Sequence, residues 1–268
     1  MNEFFLDDCG ISYRMNEFFV SKKSIVFIHG ITGSCSAWFE YERVLQDKYN
    51  ILTLDLRGHG MSRKYKYVED YSIERCALDI VEVLKRTKFE KFSIVSHSFG
   101  TIIAVELLAI LKGRVEAAIF LSPAYDIKSA KSRRLIPVLK LAAAIFRVLP
   151  FSSSSRGRTD YSKFRNTGDW NVLRMFADIQ NTTLRTHLFC LIQIFQYDQK
   201  GKWDCLVPTL VFHGRKDHLI PIEHTLKLKM LNPSIKLILL ERADHILILN
   251  NTVEISHAIF QFVSEGHC

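Results

Sequence analysis

The sequence lacks the patterns that mark a membrane-spanning or secreted chain. Its most apolar stretch, residues 135–151, is interrupted by Lys140 and Arg147, whereas a spanning helix requires about 20 predominantly apolar residues. The first ten residues, MNEFFLDDCG, lack the basic and then apolar regions of a secretory signal. The six cysteines form no CxxC pair, so reduced thiols are expected. We therefore expect a soluble, cytoplasmic protein.

Features typical of nucleic-acid and nucleotide binding are also missing. There is no alternation of basic and aromatic residues, no zinc-finger spacing and no glycine-rich phosphate loop, although the net charge is +8. The charge is uneven, because residues 128–165 hold ten basic residues against one acid and carry +9, which leaves −1 for the rest. The charge thus belongs to one segment, and no nucleic-acid partner is expected.

Short β-branched runs alternate with longer amphipathic runs along most of the chain. The strand-like runs are 24–28, 49–55, 91–95, 114–121, 208–213 and 234–240, and the helical runs lie near 36–47, 73–87, 99–112, 222–231 and 252–264. Because strands alternate with helices, the pattern predicts an α/β fold with a doubly wound, mostly parallel sheet. Residues 4–19, ahead of this pattern, are typical of a hairpin.

The alternation breaks between about 124 and 204. Helical periodicity dominates there, with patterns at 137–149, 170–180 and 183–197, and no clear strand appears. We therefore predict a core made of residues 1–123 and 205–268 and a helical cap insertion of residues 124–204. The serine-rich run 152–158 is interpreted as a flexible joint within that insertion.

Candidate chemistry stands at the ends of three predicted strands. In an open parallel sheet ligands bind beyond the carboxyl ends of the strands, so the residues that follow each strand are candidates. Ser98 follows the run 91–95, Asp217 follows 208–213 and His245 follows 234–240. The motif SHSFG around Ser98 has the spacing of a strained strand-to-helix turn, which lifts one side chain clear of the backbone. A hydroxyl, a carboxylate and an imidazole thus occur in the order Ser, Asp, His.

Five stretches carry a resemblance to a known family. They are FIHG at 27–30, DLRGHGMS at 55–62, SHSFG at 96–100, PTLVFHGRKDHLIP at 208–221 and ADHILILNNTVEISHAIFQFV at 243–263. In sequence and order they resemble the α/β-hydrolase fold superfamily, in particular its cap-bearing serine esterases and lipases. One departure is Ser96, where the family most often has glycine. Serine is small enough for the turn, so more strain is expected there and no loss of chemistry.

The resemblance implies a role for each candidate residue, without a metal or cofactor. Ser98 would be the nucleophile, which at neutral pH needs a base within hydrogen-bonding distance. His245 would be that base, and Asp217 would hold its tautomer and stabilise its positive charge. The family pattern assigns the oxyanion hole to the backbone N–H groups of Ile31 and Phe99. Gly30 would let the loop that carries Ile31 approach the oxyanion closely.

Other polar residues near the predicted strand ends are either expected to be structural or are weaker candidates for the same catalytic roles. Asp126 and Asp244 are rivals to Asp217 as the acid. The residues expected to be structural are His29, His97, Asp55, Arg57, Gly58 and Gly60. His213 and His218 have no metal-ligand partner at a convincing spacing, and Cys35 is expected near the entrance without an activated thiol.

These residues predict a serine hydrolase that cleaves small carboxylic esters with an apolar acyl group through an acyl-enzyme. The same scaffold would also serve a lactone, monoacylglycerol or C–C bond hydrolase, or a non-catalytic ligand-binding protein. Within the insertion, Arg133, Lys140 and Arg147 recur every seven residues and would form a basic stripe on one helix. We expect the apolar side of that helix to pack over the active-site mouth as a lid, and the stripe favours a weak contact with anionic membrane surfaces.

Overall fold

A computed structural model describes residues 1–127, 130–148, 156–204 and 207–264, with the backbone alone for 130–133 and 146–148. Eight strands form one sheet in the order β1-β2-β4-β3-β5-β6-β7-β8. The strands are β1 (Asn2–Leu6), β2 (Ile11–Met15), β3 (Ser24–Ile28), β4 (Asn50–Leu54), β5 (Phe92–His97), β6 (Val115–Leu121), β7 (Thr209–Gly214) and β8 (Lys236–Leu240). β2 pairs antiparallel with β1 and β4, and the other pairs are parallel. The predicted fold class and N-terminal hairpin are confirmed.

Helices cover both faces of the sheet. They are α1 (Phe39–Leu45), α2 (Ile73–Lys85), α3 (Phe99–Ile110), α4 (Ala130–Val148), α5 (Val172–Thr182), α6 (Leu184–Gln196), α7 (Ile222–Leu231), α8 (Leu247–Asn250) and α9 (Thr252–Ser264). Short 3-10 helices span Cys35–Trp38, Val68–Tyr71 and Tyr161–Phe164. The predicted helical runs 222–231 and 252–264 match α7 and α9. No helix in the described ranges combines the length and hydrophobicity needed to cross a membrane.

The core lies on both sides of the central strands. All five residues of β3 are buried, and they alternate between the two layers: Val26 and Ile28 pack with α2 and α3, whereas Ile25 and Phe27 pack with α1 and α9. This is the burial expected of a parallel strand covered by helices on each face. β5 and β7 are also fully buried, so the loops at the carboxyl ends of β3, β5 and β7 start from strands packed into the core.

Residues 124–204 contain α4, α5, α6 and the Tyr161–Phe164 helix, and no strand among the described positions. α6 packs against α4 and the Val68–Tyr71 helix. Arg158 joins this insertion to the core, because its Nε donates to the buried Asp55 Oδ2 at 2.9 Å and its Nη1 donates to Glu3 Oε1 at 2.8 Å. Part of the basic excess therefore forms ion pairs with core residues.

α4 differs from the predicted lid helix. Leu139 and Ala143 pack on the core, while Leu135, Val138, Leu141 and Ile145 are 51–66% exposed. Arg133 and Arg147 of the predicted basic stripe lie outside the described side chains, and Lys140 is exposed. An apolar side of α4 therefore faces solvent, because the helix packs along α6.

Candidate active site

The three strand-end residues meet at one edge of the sheet. Ser98 follows β5, Asp217 follows β7 and His245 lies five residues after β8. His245 Nε2 lies 2.9 Å from Ser98 Oγ, and His245 Nδ1 lies 2.8 Å from Asp217 Oδ2. All three residues are buried. The hydroxyl, imidazole and carboxylate form a continuous hydrogen-bonded chain.

Ser98 occupies a strained turn between β5 and α3. Its φ of 50° and ψ of −117° lie in a region that residues other than glycine rarely adopt, at a cost of about 1–3 kcal/mol. Gly100 makes the turn possible, since a Cβ there would lie 2.6 Å from the carbonyl oxygen of His29. The strain directs Ser98 Oγ towards His245 and away from the helix backbone.

The Asp217 carboxylate is held in its charged form. Its Oδ1 accepts hydrogen bonds from the backbone N–H groups of Leu219 and Ile220 at 2.9 and 2.8 Å. Burial raises the pKa of Asp217, but the hydrogen bond and charge of His245 and the Ile220 N–H outweigh it and lower the pKa to about 2. The group opposite His245 Nδ1 is therefore an anion over the whole physiological pH range.

The rival carboxylates make other contacts. Asp126 is exposed and pairs with Lys227 at 3.3 Å. Asp244 Oδ1 accepts from the backbone N–H of Ile246 at 2.9 Å, and its Oδ2 accepts from that of Asp169 at 3.1 Å. Of the three candidate acids, only Asp217 contacts the imidazole of His245 within the described residues.

Two histidines near the site, His97 and His213, have lowered pKa values. Burial and the charge of His245 lower the pKa of His97 to about 3, and burial lowers that of His213. His97 is predicted to have a structural role in packing, with its ring pointing away from the nucleophile. It lies closer than expected: its Nε2 donates to the His245 carbonyl at 2.9 Å, and the two ring centroids are 4.8 Å apart. His97 thus supports the loop that carries His245 through this hydrogen bond and ring contact.

Ile31 and Phe99, the predicted oxyanion donors, flank Ser98. Within the described chain neither backbone N–H donates a hydrogen bond. His59 Nε2 bonds to the carbonyl of Ile31, which fixes the orientation of that peptide loop. His29 also supports it, with Nδ1 donating to the Gly30 carbonyl at 2.7 Å. Sequence reasoning missed the role of His59, although it stands in the DLRGHGMS motif.

Asp169 is a second residue that sequence reasoning missed. This buried carboxylate comes from the insertion and bridges the loops that carry Asp217 and His245. Its Oδ1 accepts from the backbone N–H of His245 at 2.8 Å, and its Oδ2 accepts from that of His218 at 3.0 Å. His218 directly follows Asp217, so one side chain holds the loops of the acid and the base. No local motif marks Asp169, because its partners lie 49 and 76 residues away in sequence.

A cavity of about 100 Å³ contains Ser98 and His245. Its apolar lining residues are Ile31, Ala37, Leu219, Ile246, Ile248 and Leu249, and its polar residues from the insertion are Tyr161, Arg174 and Asp178. α5 and the Tyr161–Phe164 helix therefore occupy the place expected for the 137–149 helix, and no described residue of α4 lines the cavity. Cys35, expected near the entrance, is buried beside Asp55, and burial raises the pKa of its thiol.

The comparisons with known proteins agree with this architecture. A family model described as "alpha/beta hydrolase fold" matches residues 23–252. The chain belongs to the α/β-hydrolase fold family.

Two of the curated relatives are longer than this chain. A protein named probable lysophospholipase BODYGUARD 2, of Arabidopsis thaliana, is 24% identical over 85% of this chain and 56% of its own length. Epoxide hydrolase 1 of Caenorhabditis elegans is 32% identical over 31% of this chain and 20% of its own length. The chain thus spans between about a fifth and about a half of these relatives.

Solved structures share the fold over almost the whole chain. An esterase from Thermogutta terrifontis superposes with a TM-score of 0.73 at 15% identity and covers 96% of this chain and 95% of its own. The enol-lactonase from Burkholderia xenovorans superposes with a TM-score of 0.73 at 19% identity and covers 98% and 100%. At these identities the likeness shows the fold.

Replacing Asp169 tests its hold on the two catalytic loops. Asp169→Asn exchanges one acceptor oxygen for an NH₂ group, which cannot accept from the His245 or His218 backbone. We expect the rate of Ser98 labelling by a fluorophosphonate to fall by about 10²-fold, because small misplacements of a base have effects of that size. Asp204→Asn, an exposed aspartate of the same insertion that lines neither the cavity at Ser98 nor its neighbour, is the matched control and should label at the wild-type rate. Equal rates for both variants would contradict the assignment.

Proposed function

We propose that this protein is a serine hydrolase that cleaves carboxylic esters through an acyl-enzyme intermediate. The observation that carries the proposal is the hydrogen-bonded chain from Asp217 through His245 to Ser98, with separations of 2.8 and 2.9 Å. These separations fall within the range that proton transfer between a nucleophile and its base requires. Family membership and the strained turn at Ser98 support the same reaction.

In the first half-reaction Ser98 Oγ attacks the ester carbonyl carbon and transfers its proton to His245 Nε2. The positive imidazole is stabilised by Asp217, which stays ionised and keeps the other ring proton on Nδ1. The carbonyl oxygen becomes an oxyanion, and the N–H groups of Ile31 and Phe99 donate to it. When the intermediate collapses, His245 returns the proton to the departing alcohol.

In the second half-reaction water replaces the alcohol. His245 accepts a proton from water, whose oxygen attacks the acyl-enzyme carbonyl, and the same two N–H groups stabilise the second oxyanion. Collapse releases the carboxylic acid and returns the proton to Ser98 Oγ. Every step uses side chains and backbone groups of this chain, and none requires a metal or cofactor.

The cavity favours a small acyl group with apolar character. Its volume of about 100 Å³ lies below the roughly 300 Å³ of sites for drug-sized ligands. A neighbouring cavity of about 280 Å³ shares the wall residues Ala37, Tyr161, Ile248 and Leu249, and offers room for the rest of a longer substrate.

A lactone, monoacylglycerol or C–C bond hydrolase would use the same three residues. The names of two relatives, each a probable lysophospholipase, favour including lipid esters in a substrate panel. p-Nitrophenyl esters of increasing chain length, a lactone, a monoacylglycerol and a lysophospholipid would sort these activities. A fluorophosphonate probe separates all of them from a non-catalytic ligand-binding protein, because only an activated serine is labelled. The cytoplasmic location stays a prediction.

The Ser98→Ala variant tests the nucleophile. We expect it to fold normally and to lose almost all ester turnover. The remaining rate should exceed the uncatalysed rate in water by at most about 10³–10⁴-fold, because the oxyanion donors and substrate binding still contribute that much. Ser96→Ala is the matched control, because the buried Ser96 Oγ lacks a hydrogen-bond partner among the described residues, and it should keep its activity. Near-normal turnover of p-nitrophenyl esters by folded Ser98→Ala would refute the nucleophile.

A set of Asp→Asn variants tests the acid. Asp217→Asn presents the wrong partner to His245 Nδ1 and should lower kcat by about 10⁴-fold. Asp126→Asn and Asp244→Asn should change kcat by less than about tenfold, because neither carboxylate contacts the imidazole. A greater loss in Asp126→Asn than in Asp217→Asn would move the acid to the loop after β6.

We also propose that the insertion makes a weak contact with anionic membrane surfaces. The exposed apolar residues of α4 and the exposed Lys140 stand in the segment that carries +9. Each basic residue near an anionic surface contributes about 1 kcal/mol. Arg158 and Arg165 contribute less, because they pair with Asp55 and Glu40.

Vesicle sedimentation at low and high salt tests this contact. We expect binding to anionic vesicles that weakens at high salt and in Arg133→Glu with Lys140→Glu, since screening and charge reversal both remove the attraction. Lys88→Glu with Lys91→Glu changes the net charge equally on an exposed part of the core and is the matched control. Absence of binding at low salt, or equal weakening by both double variants, would contradict a contact through the insertion.

A further inference from the structure

The wall that the insertion contributes to the catalytic cavity is polar. The guanidinium of Arg174 and the carboxylate of Asp178 are 92% and 98% buried there, and Tyr161 lies beside them. The remaining described wall is largely apolar, as the core loops supply it. The cavity is therefore divided into an apolar side and a charged side within reach of the same nucleophile.

α5 places its charged face inward and its apolar face outward. Arg174 and Asp178 lie one turn apart on the buried face, while Val172, Leu173 and Phe176 on the opposite face are 74, 73 and 60% exposed. A helix that only closed the fold would have the reverse pattern. The inward charges thus need an explanation other than packing, and the cavity that they line provides one.

The guanidinium of Arg174 has a hydrogen-bonding group to spare. Its Nη1 donates to Asp178 Oδ2 at 3.3 Å and its Nη2 donates to the Asp169 carbonyl at 2.8 Å, which uses two of its five N–H groups. The second N–H of each Nη and the buried Nε have no partner among the described residues. A buried donor without a partner is costly and uncommon. Asp178 balances the charge of Arg174 and is itself held by the Tyr161 hydroxyl at 2.7 Å. A neutral oxygen acceptor fits this balanced pair better than a second carboxylate.

We propose that the polar wall selects substrates with a second oxygen acceptor, a ketone, ether or hydroxyl oxygen, close to the scissile carbonyl. The guanidinium of Arg174 donates to that oxygen, and Asp178 with Tyr161 holds the guanidinium in place. This inference rests on the ester-hydrolase function proposed above and narrows its substrate class. Arg174 is a specificity-determining residue in this arrangement, and takes no part in the proton transfers.

Two isosteric ester pairs test the proposal. The acyl pair is p-nitrophenyl 4-oxopentanoate and p-nitrophenyl 4-methylpentanoate, and the alcohol pair is 2-methoxyethyl butyrate and butyl butyrate. We expect the wild-type protein to prefer the oxygen-bearing member of at least one pair in kcat/KM, after correction for alkaline hydrolysis rates. Arg174→Met should reduce that preference by about 10- to 100-fold, the size expected for a hydrogen bond to a charged group.

A matched control separates recognition from packing. Arg185 is also buried with an unpartnered Nε among the described residues, and it does not line the cavity. Arg185→Met should leave the preference unchanged, and Arg174→Lys should keep part of it if Arg174→Met fails to fold. Equal losses on both members of each pair in the Arg174 variants would overturn the proposal, since that is the result of a purely structural role. Turnover of neither pair by a wild-type protein that hydrolyses other esters of the panel would overturn this inference alone, whereas turnover of no ester in the panel would remove the ester-hydrolase function as well.

Discussion

The parallel alignment of β5, β7 and β8 is the constraint on which the candidate site depends. Parallel strands bring their carboxyl ends to one edge of the sheet. Asp217 and His245 lie 119 and 147 positions after Ser98 in the sequence, and yet the three side chains form one hydrogen-bonded chain. β5 and β7 are buried along their whole length and β8 is partly buried at the edge of the sheet, so the loops start from a support that is packed into the core. The strained backbone of Ser98 persists for the same reason, since its cost of about 1–3 kcal/mol is small against the packing of β5 and α3.

The insertion belongs to the site as much as the sheet does. Asp169 holds the backbone of the His245 loop and of the loop that carries Asp217, and Arg158 joins the insertion to the buried Asp55. These contacts tie the position of the loop before α5 to the positions of the loops that carry His245 and Asp217. The ion pair between Arg158 and Asp55 also accounts for part of the positive charge of the insertion. Without such pairs, that charge would suggest a surface that serves only to bind an external anionic partner.

α5 shows that stability alone does not determine the arrangement of this wall. Desolvating an ion pair costs several kcal/mol per ion before the pair's own attraction is counted, whereas burying a Leu or Phe side chain contributes roughly 1.5–3 kcal/mol. The helix nevertheless buries Arg174 and Asp178 and exposes Leu173 and Phe176. A helix with a charged buried face and an apolar exposed face is expected where a cavity requires polar lining groups and the outer surface requires apolar ones.

The sequence by itself determined the sheet, most helices and the placement of the candidate triad. Local hydrophobic patterning specifies strands such as 24–28 and helices such as 73–85, and the parallel topology then fixes which loops meet at one edge. Asp169, Arg174 and the role of His59 were decided by the tertiary structure alone. Asp169 and Arg174 reach the site because the insertion packs on the core, and the helical periodicity of that segment does not specify what they contact. His59 reaches it because the loop after β4 packs against the loop that carries Ile31, 28 residues away in sequence. The same packing decided that α5, and not α4, lines the cavity, because amphipathic periodicity predicts that a helix has two faces and does not specify what each face contacts.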